Sequence, residues 1–209
     1  MKVLAIGAHP DDIEFGCGGS LVSFGKKGHP VFLFIVTMGE MGGDSSIRKT
    51  EQLNAAKILG ASDVFFSDYP DTQIPVDKQL ISRIEGILRK VEPDVILVNY
   101  PDDTHQDHRN LASATVSATR YVRNVLFYEG PTTQKFTPNV FIDVGAVLDE
   151  KLSALSAHTS QTLKTNIEGL SILDLAKAAA TFRGIQGRVK FAEGFVSERL
   201  FFPIDQNTK

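Results

Sequence analysis

The 209-residue chain contains one cysteine, Cys17, and no tryptophan. A lone thiol excludes an intramolecular disulfide and suits a reducing compartment. No apolar run approaches the roughly 18 residues of a membrane span. The first such run, residues 3–8, meets His-Pro-Asp-Asp before it reaches the length of a signal-peptide core. Basic runs are equally scarce: none exceeds Lys26-Lys27, and 22 Lys+Arg against 25 Asp+Glu leave a net charge of −3. Such a balance exerts no general pull on nucleic acid. Internal repeats and low-complexity tracts are also missing. These absences predict a soluble cytoplasmic protein with a small-molecule partner and no nucleic-acid or membrane partner. A chain of this size buries roughly 70% of its unfolded surface, so folding needs no metal staple and any metal serves chemistry.

What is present is an alternation of strand-like and helix-like segments. Residues 2–8 (KVLAIGA) and 31–38 (VFLFIVTM) are short apolar runs of the kind buried on both faces of a parallel sheet. Between them GGSLVSFGKKG has helix length and is closed by Gly28. Residues 47–60 place Ile47, Leu53, Ala56 and Leu59 near helical spacing, with Gly60 as the stop. DVFFS reads as a strand, DYPDTQIP as a loop, 76–91 as an amphipathic helix and 94–100 as the fourth strand. After the loop PDDTHQDHRN come a helix to about residue 123, strands at VLFY and 140–144, and helices at 147–158 and from 170 to about 183. The pattern predicts an α/β Rossmann-like three-layer sandwich with a mostly parallel sheet, one domain over residues 1–209, whose last third caps the sheet or the site.

In open parallel sheets, ligands collect beyond the C-terminal ends of the strands. Two segments rich in ligand-type side chains follow such ends: HPDD after the first strand and DDTHQDH after the fourth. Between them they hold His9, His105 and His108, three of the five histidines in the chain. Hydrolytic zinc sites commonly use three N/O ligands and leave one position for water. His9, Asp12 and one histidine of the second segment make such a set. Pro10 stiffens the backbone between them. Consecutive side chains diverge, so one aspartate of the pair can take the metal while its neighbour remains a proton acceptor.

Structural readings compete with this one. Asp11 or Asp12 could cap the helix that follows, and Asp107 the helix after the second segment. Glu14 suits the positive end of a helix, and Cys17 reads as a small buried residue in a Gly-rich turn. His158 fits a helix C-terminus, and Arg183 and Glu193 read as structural ion-pair partners. The rival function is a dinucleotide-binding oxidoreductase, with Glu40 as its ribose-binding acid. It lacks G-x-G-x-x-G after the first strand, where GAHPDD would repel a pyrophosphate.

AHPDDIE followed by GCGG, and the later HQDHR, resemble the two signature segments of the LmbE-like, or PIG-L, family of zinc-dependent N-deacetylases. The resemblance continues through TMGEMGG (37–43), RKTEQLNAAKILG (48–60), HTSQ (158–161) and RGIQGRVKFAEGF, and so covers most of the chain. It implies His9, Asp12 and His108 as ligands of Zn2+ or another divalent ion, with Asp11 as general base. It makes His105 the second imidazole, which in its protonated form stabilises the oxyanion, with either His105 or the protonated Asp11 supplying the proton to the leaving amine. Asp107 supports the metal ligands from behind, as Glu14 can, Arg48 holds a polar or anionic part of the substrate, and Tyr128 gates it. The implied reaction removes the acetyl group from an N-acetylglucosamine-type sugar or its conjugate, in a protein that assembles as a homo-oligomer. A non-catalytic metal-binding relative is the alternative within the family; it has no need of Asp11 and His105, and both are present.

Overall fold

Val3–Gly7 (β1) is buried along its whole length. Alternate side chains of a strand point to opposite faces. Val3 and Ala5 accordingly join an apolar layer with Leu33, Leu97 and Leu126, whereas Leu4 and Ile6 join one with Phe34, Ile96 and Leu111. Each fully buried Leu or Ile contributes roughly 1.5–3 kcal/mol relative to exposure. A strand apolar on both sides belongs in the middle of a parallel sheet. β1 pairs in parallel with Val31–Thr37 (β2) on one side. The computed structural model describes residues 1–202.

The remaining strands are Asp63–Tyr69 (β3), Val95–Asn99 (β4), Val125–Tyr128 (β5), Val140–Asp143 (β6) and Ala192–Arg199 (β7). They form one sheet of order β3-β2-β1-β4-β5-β7-β6. β1 to β5 are mutually parallel, and β7 runs antiparallel to both β5 and β6. The helices are Asp12–Lys26 (α1), Ser45–Leu59 (α2), Lys78–Val91 (α3), Gln106–Ala118 (α4), Leu148–Ser156 (α5) and Ile172–Gly187 (α6). Cys17 of α1, Ala55 of α2 and Ala154 of α5 pack on one face of the sheet. Leu80 and Ile84 of α3 and Leu111 of α4 cover the other. The sandwich has the expected three layers. No helix among the described residues is long and apolar enough to cross a membrane.

From β1 the chain builds outward through β2 to β3, then returns to lay β4 against the other side of β1. Such a reversal opens a crevice between the loops that leave the two strands. This is why segments distant in sequence share one site.

Four local expectations change. GCGG is helical rather than a turn, because α1 starts at Asp12. A Cβ at Gly16 would lie 2.1 Å from Cδ2 of Tyr128, so the glycine is what lets α1 settle on β5. α2 turns Ile47 and Leu53 outward, 52% and 39% exposed, and buries a polar stripe instead. The helix after the second segment stops at Ala118 rather than near residue 123. Finally, residues 192–199 form a strand that hydropathy does not reveal, since AEGFVSER carries three charged residues; its position between β5 and β6 supplies the stability that its composition lacks.

Candidate active site

Ala8, just past β1, donates its N–H to Asn99 Oδ1 at 3.2 Å, which ties the end of β1 to the end of β4. The chain then turns sharply. Asp11 has φ 95°, in the left-handed region, and occupies the cap position of α1 without a side-chain capping bond. This conformation is costly for a non-glycine residue, so the turn is held by its surroundings. Asp12, the first residue of α1, accepts from His9 N–H at 2.9 Å. The second segment opens α4, where His105 is the cap: its Nδ1 accepts the Asp107 N–H at 3.2 Å. Neither Asp11 nor Asp107 therefore caps its helix through its side chain.

The two segments meet face to face. His9 Nδ1 lies 3.3 Å from His108 Nε2, and His108 Nε2 lies 3.3 Å from Asp12 Oδ1. His9 Nδ1 is 3.5 Å from Asp12 Oδ2. The far nitrogen of each ring faces carboxylates: His9 Nε2 is 3.0 Å from Asp71 Oδ1 and 3.2 Å from Asp107 Oδ2, and His108 Nδ1 is 3.1 Å from Asp103 Oδ2. Those carboxylates are themselves held. Asp107 accepts from Thr72 N and Ile74 N, Asp71 from Met41 N, and Asp103 from His105 N and the Thr133 hydroxyl. A carboxylate behind each ring fixes the proton on that far nitrogen, so lone pairs of His9 Nδ1 and His108 Nε2 point at the same space.

Carboxylates dominate the field around the two rings. Burial alone would lower both imidazoles, but the surrounding carboxylates raise His9 well above its usual range and His108 to about 9. Burial would likewise raise Asp12, yet His108 and His9 hold it well below the carboxylate range. His105 moves the other way: burial, reinforced by the other two rings, lowers it. With Nδ1 accepting the Asp107 N–H, its ring proton sits on Nε2. Asp11 is pushed up to about 6, mainly by burial, although a quarter of its side chain still opens on the cavity.

Zinc with 2.0–2.1 Å bonds in tetrahedral geometry sets its donors about 3.3–3.4 Å apart. His9 Nδ1 and His108 Nε2 fit that spacing at 3.3 Å, and Asp12 flanks both rings, with Oδ1 at 3.3 Å from His108 and Oδ2 at 3.5 Å from His9. Two groups converge closely enough to share an ion, His9 with His105 and His108, and His9 with Asp71 and Asp107; His105 Nδ1 and both Asp107 oxygens accept backbone N–H groups, as Asp12 Oδ2 does. The buried His/Asp cluster is able to chelate a divalent metal such as Zn2+.

The cluster forms the floor of a cavity of about 460 Å³, whose wall includes Asp11, Arg48, Thr132, Gln161 and Lys164. That volume suits a small molecule. Of the residues singled out from sequence, His9, Asp11, Asp12, His105 and His108 line it, and Asp107 stands directly behind His9. Glu14 is fully buried in α1 and contacts Gln52 and His158 rather than the ring cluster. Arg48 reaches the wall, but Nη1 donates to Gly39 O at 2.6 Å and Nη2 to Pro10 O at 2.8 Å, so both terminal nitrogens serve the chain. Tyr128 does not line the cavity. It is buried on α1's side of the sheet and its hydroxyl donates to Ile6 O at 2.8 Å, because a β5 side chain in register with Leu126 points into that layer. Arg183 and Glu193 do not pair with each other; Arg183 binds Glu129 and Glu193 binds Lys151. Sequence reasoning missed Asp71 and Asp103. Asp71 lies in the loop after β3, another strand end, and Asp103 lies inside the second segment; both positions were readable signals.

The family model for PIG-L, GlcNAc-PI de-N-acetylase, matches residues 4–119, more than half of the chain and both ring-bearing segments. The chain belongs to the PIG-L family. The uncharacterized deacetylase YaiS of Escherichia coli K12 is 38% identical over 167 residues, which cover 76% of this chain and 90% of that protein. Among solved structures, the conserved protein TT1542 of Thermus thermophilus superposes with TM-score 0.86 at 27% identity, covering 98% of each chain. The N,N'-diacetylchitobiose deacetylase of Pyrococcus horikoshii superposes with TM-score 0.84, also at 27% identity, covering 99% of this chain and 87% of that one. Membership in the PIG-L family, together with a chelating cluster at the floor of a cavity, makes this protein a metal-dependent amide hydrolase.

Proposed function

We propose that the protein removes the acetyl group from an N-acetylglucosamine-type amino sugar or its conjugate, with His9, Asp12 and His108 holding Zn2+ and Asp11 acting as general base. The observation that carries this reading is the divergence of two adjacent carboxylates. Asp12 directs its oxygens to His9 and His108, whereas Asp11 contacts Arg48 at 3.5 Å and opens on the cavity. Bound zinc supplies a Lewis acid that acidifies water toward a pKa of about 7 and polarises an amide carbonyl.

The chain's own residues do the rest. Asp11 accepts a proton from the attacking water, a contribution of typically ~10²–10⁴-fold. His105 offers its Nε2–H to the oxygen that gains charge as the carbonyl carbon becomes tetrahedral. Asp107 fixes that donor through its own N–H, which occupies His105 Nδ1. When the C–N bond breaks, the proton held by Asp11 passes to the departing nitrogen, leaving acetate and a free amine. The diacetylchitobiose deacetylase among the structural relatives supports a sugar with an N-acetyl group. We place this activity in the cytoplasm, consistent with a single cysteine, and in a homo-oligomer as the family resemblance implies.

The test is a panel of N-acetylglucosamine, N,N'-diacetylchitobiose and N-acetylglucosaminyl conjugates, assayed for free amine. Release that stops on chelation and returns with zinc is expected. Firm metal binding without amine release from any panel member would overturn the reading in favour of a binding-only relative.

A further inference from the structure

α2 buries what an amphipathic helix normally exposes. Arg48, Glu51 and Gln52, spaced i, i+3 and i+4 on one face, are 5%, 6% and 0% exposed. Burying such groups is costly unless they are hydrogen-bonded, so their partners reveal their purpose. Glu51 accepts from Thr159 Oγ1, Ser160 N and Ser160 Oγ at 2.6–2.7 Å, and so docks the HTSQ turn. Arg48 Nη2 donates to Pro10 O at 2.8 Å. Gln52 Oε1 accepts the Asp11 N–H at 3.4 Å.

Pro10 O and Asp11 N–H are the two ends of one peptide plane. Arg48 holds its oxygen and Gln52 its hydrogen, both from neighbouring turns of the same helix. The orientation of that plane sets φ of Asp11, which stands at 95°. Such a conformation is costly for a residue with a Cβ and persists only when its surroundings over-determine it. The Gln52 amide is itself oriented: Nε2 donates to Glu14 Oε1 at 2.7 Å, which leaves Oε1 to face Asp11. Glu14 is fully buried, and its other oxygen lies 3.5 Å from Nε2 of the equally buried His158.

We propose that Gln52, oriented by Glu14, clamps the Pro10–Asp11 peptide together with Arg48 and so positions the Asp11 carboxylate. The inference rests on Asp11 as the base. Gln52 is fully buried and absent from the cavity wall, so it acts through Asp11 and not on substrate.

The test replaces Gln52 by Leu and, where that variant folds poorly, by Met, which keeps the length without the amide. High-resolution crystallography of the zinc-loaded variant reads the Asp11 backbone; metal analysis and amine release from N,N'-diacetylchitobiose are measured beside it. The expected result is that Asp11 leaves the left-handed region and kcat falls roughly 10²-fold, the cost of a misplacement of about 1 Å. KM and the zinc stoichiometry stay unchanged. An Asp11 that keeps its positive φ in the variant overturns the clamp, as does a loss of turnover that only tracks loss of zinc. Asp11→Asn is measured in parallel: full turnover in that variant removes the base assignment and leaves the clamp to be judged on the Asp11 backbone alone.

Discussion

Two buried clusters of charge meet α1 within three turns of each other, and they are built on opposite principles. At the helix start, His9, His108 and Asp12 turn lone pairs toward one another at 3.3–3.5 Å. Further along, Glu193 accepts from Gly19 N, Ser20 N and the Ser20 hydroxyl at 2.6–2.8 Å, while Lys151 binds Glu193 and the Phe15 carbonyl. In the second cluster every acceptor meets a donor, and the charges cancel inside the protein. In the first, side chains able to ligate converge, and the proposed cation completes the balance. A closed cluster contributes to a unique fold, and an open one to chemistry.

The largest expected effect separates the open cluster from its neighbour. Asp11→Asn should keep metal content and thermal midpoint while kcat falls ~10²–10⁴-fold, or about 3–5 kcal/mol of barrier. Metal analysis, calorimetry and amine release check it; parental turnover would remove Asp11 as the base. Lys151→Met tests the closed cluster. It strands a buried Glu193 carboxylate, and stability should drop about 3–5 kcal/mol in denaturant titrations, while the folded fraction still binds zinc with parental affinity. If instead stability holds and metal affinity collapses, the two clusters are not separate devices. Asp103→Asn weakens the support behind His108 and should lower zinc affinity about 10–100-fold in competition with a chelator, with kcat at saturating zinc little changed. The smallest effect is expected at the start of α2, where Asp44 accepts from Ser46 N and Ile47 N. Asp44→Ala should cost about 1 kcal/mol by urea denaturation and leave kcat unaltered; a fall in kcat would show that the α2 clamp feels its own N-terminus.

Much of the site was legible because its two segments carry their chemistry locally. HPDD and HQDH name the ligand types, and their places after β1 and β4 follow from short apolar runs. Other residues resisted reading for identifiable reasons. Gln52 looks like an ordinary helix-surface residue until α1 and β1 are placed against α2. Ile47 and Leu53 suggested the wrong buried face because hydropathy does not count the hydrogen bonds that allow Arg48, Glu51 and Gln52 inside. Tyr128 stood at a strand end, yet its alternation with Leu126 already assigned it to the apolar layer. β7 is charged along its length, and its identity as a strand comes from the open edges of β5 and β6.

By itself the sequence determined the local facts: which runs become buried strands, where α2 ends at Gly60, and which side chains carry imidazole or carboxylate. Those depend on residues within a few positions of each other. The tertiary structure alone decided that His9 and His108, 99 residues apart, share one point, that the aspartate between strand and helix is twisted to φ 95°, and that a glutamine on a third element holds it there. The reason is that strand order in the sheet, not distance along the chain, sets which lone pairs face each other.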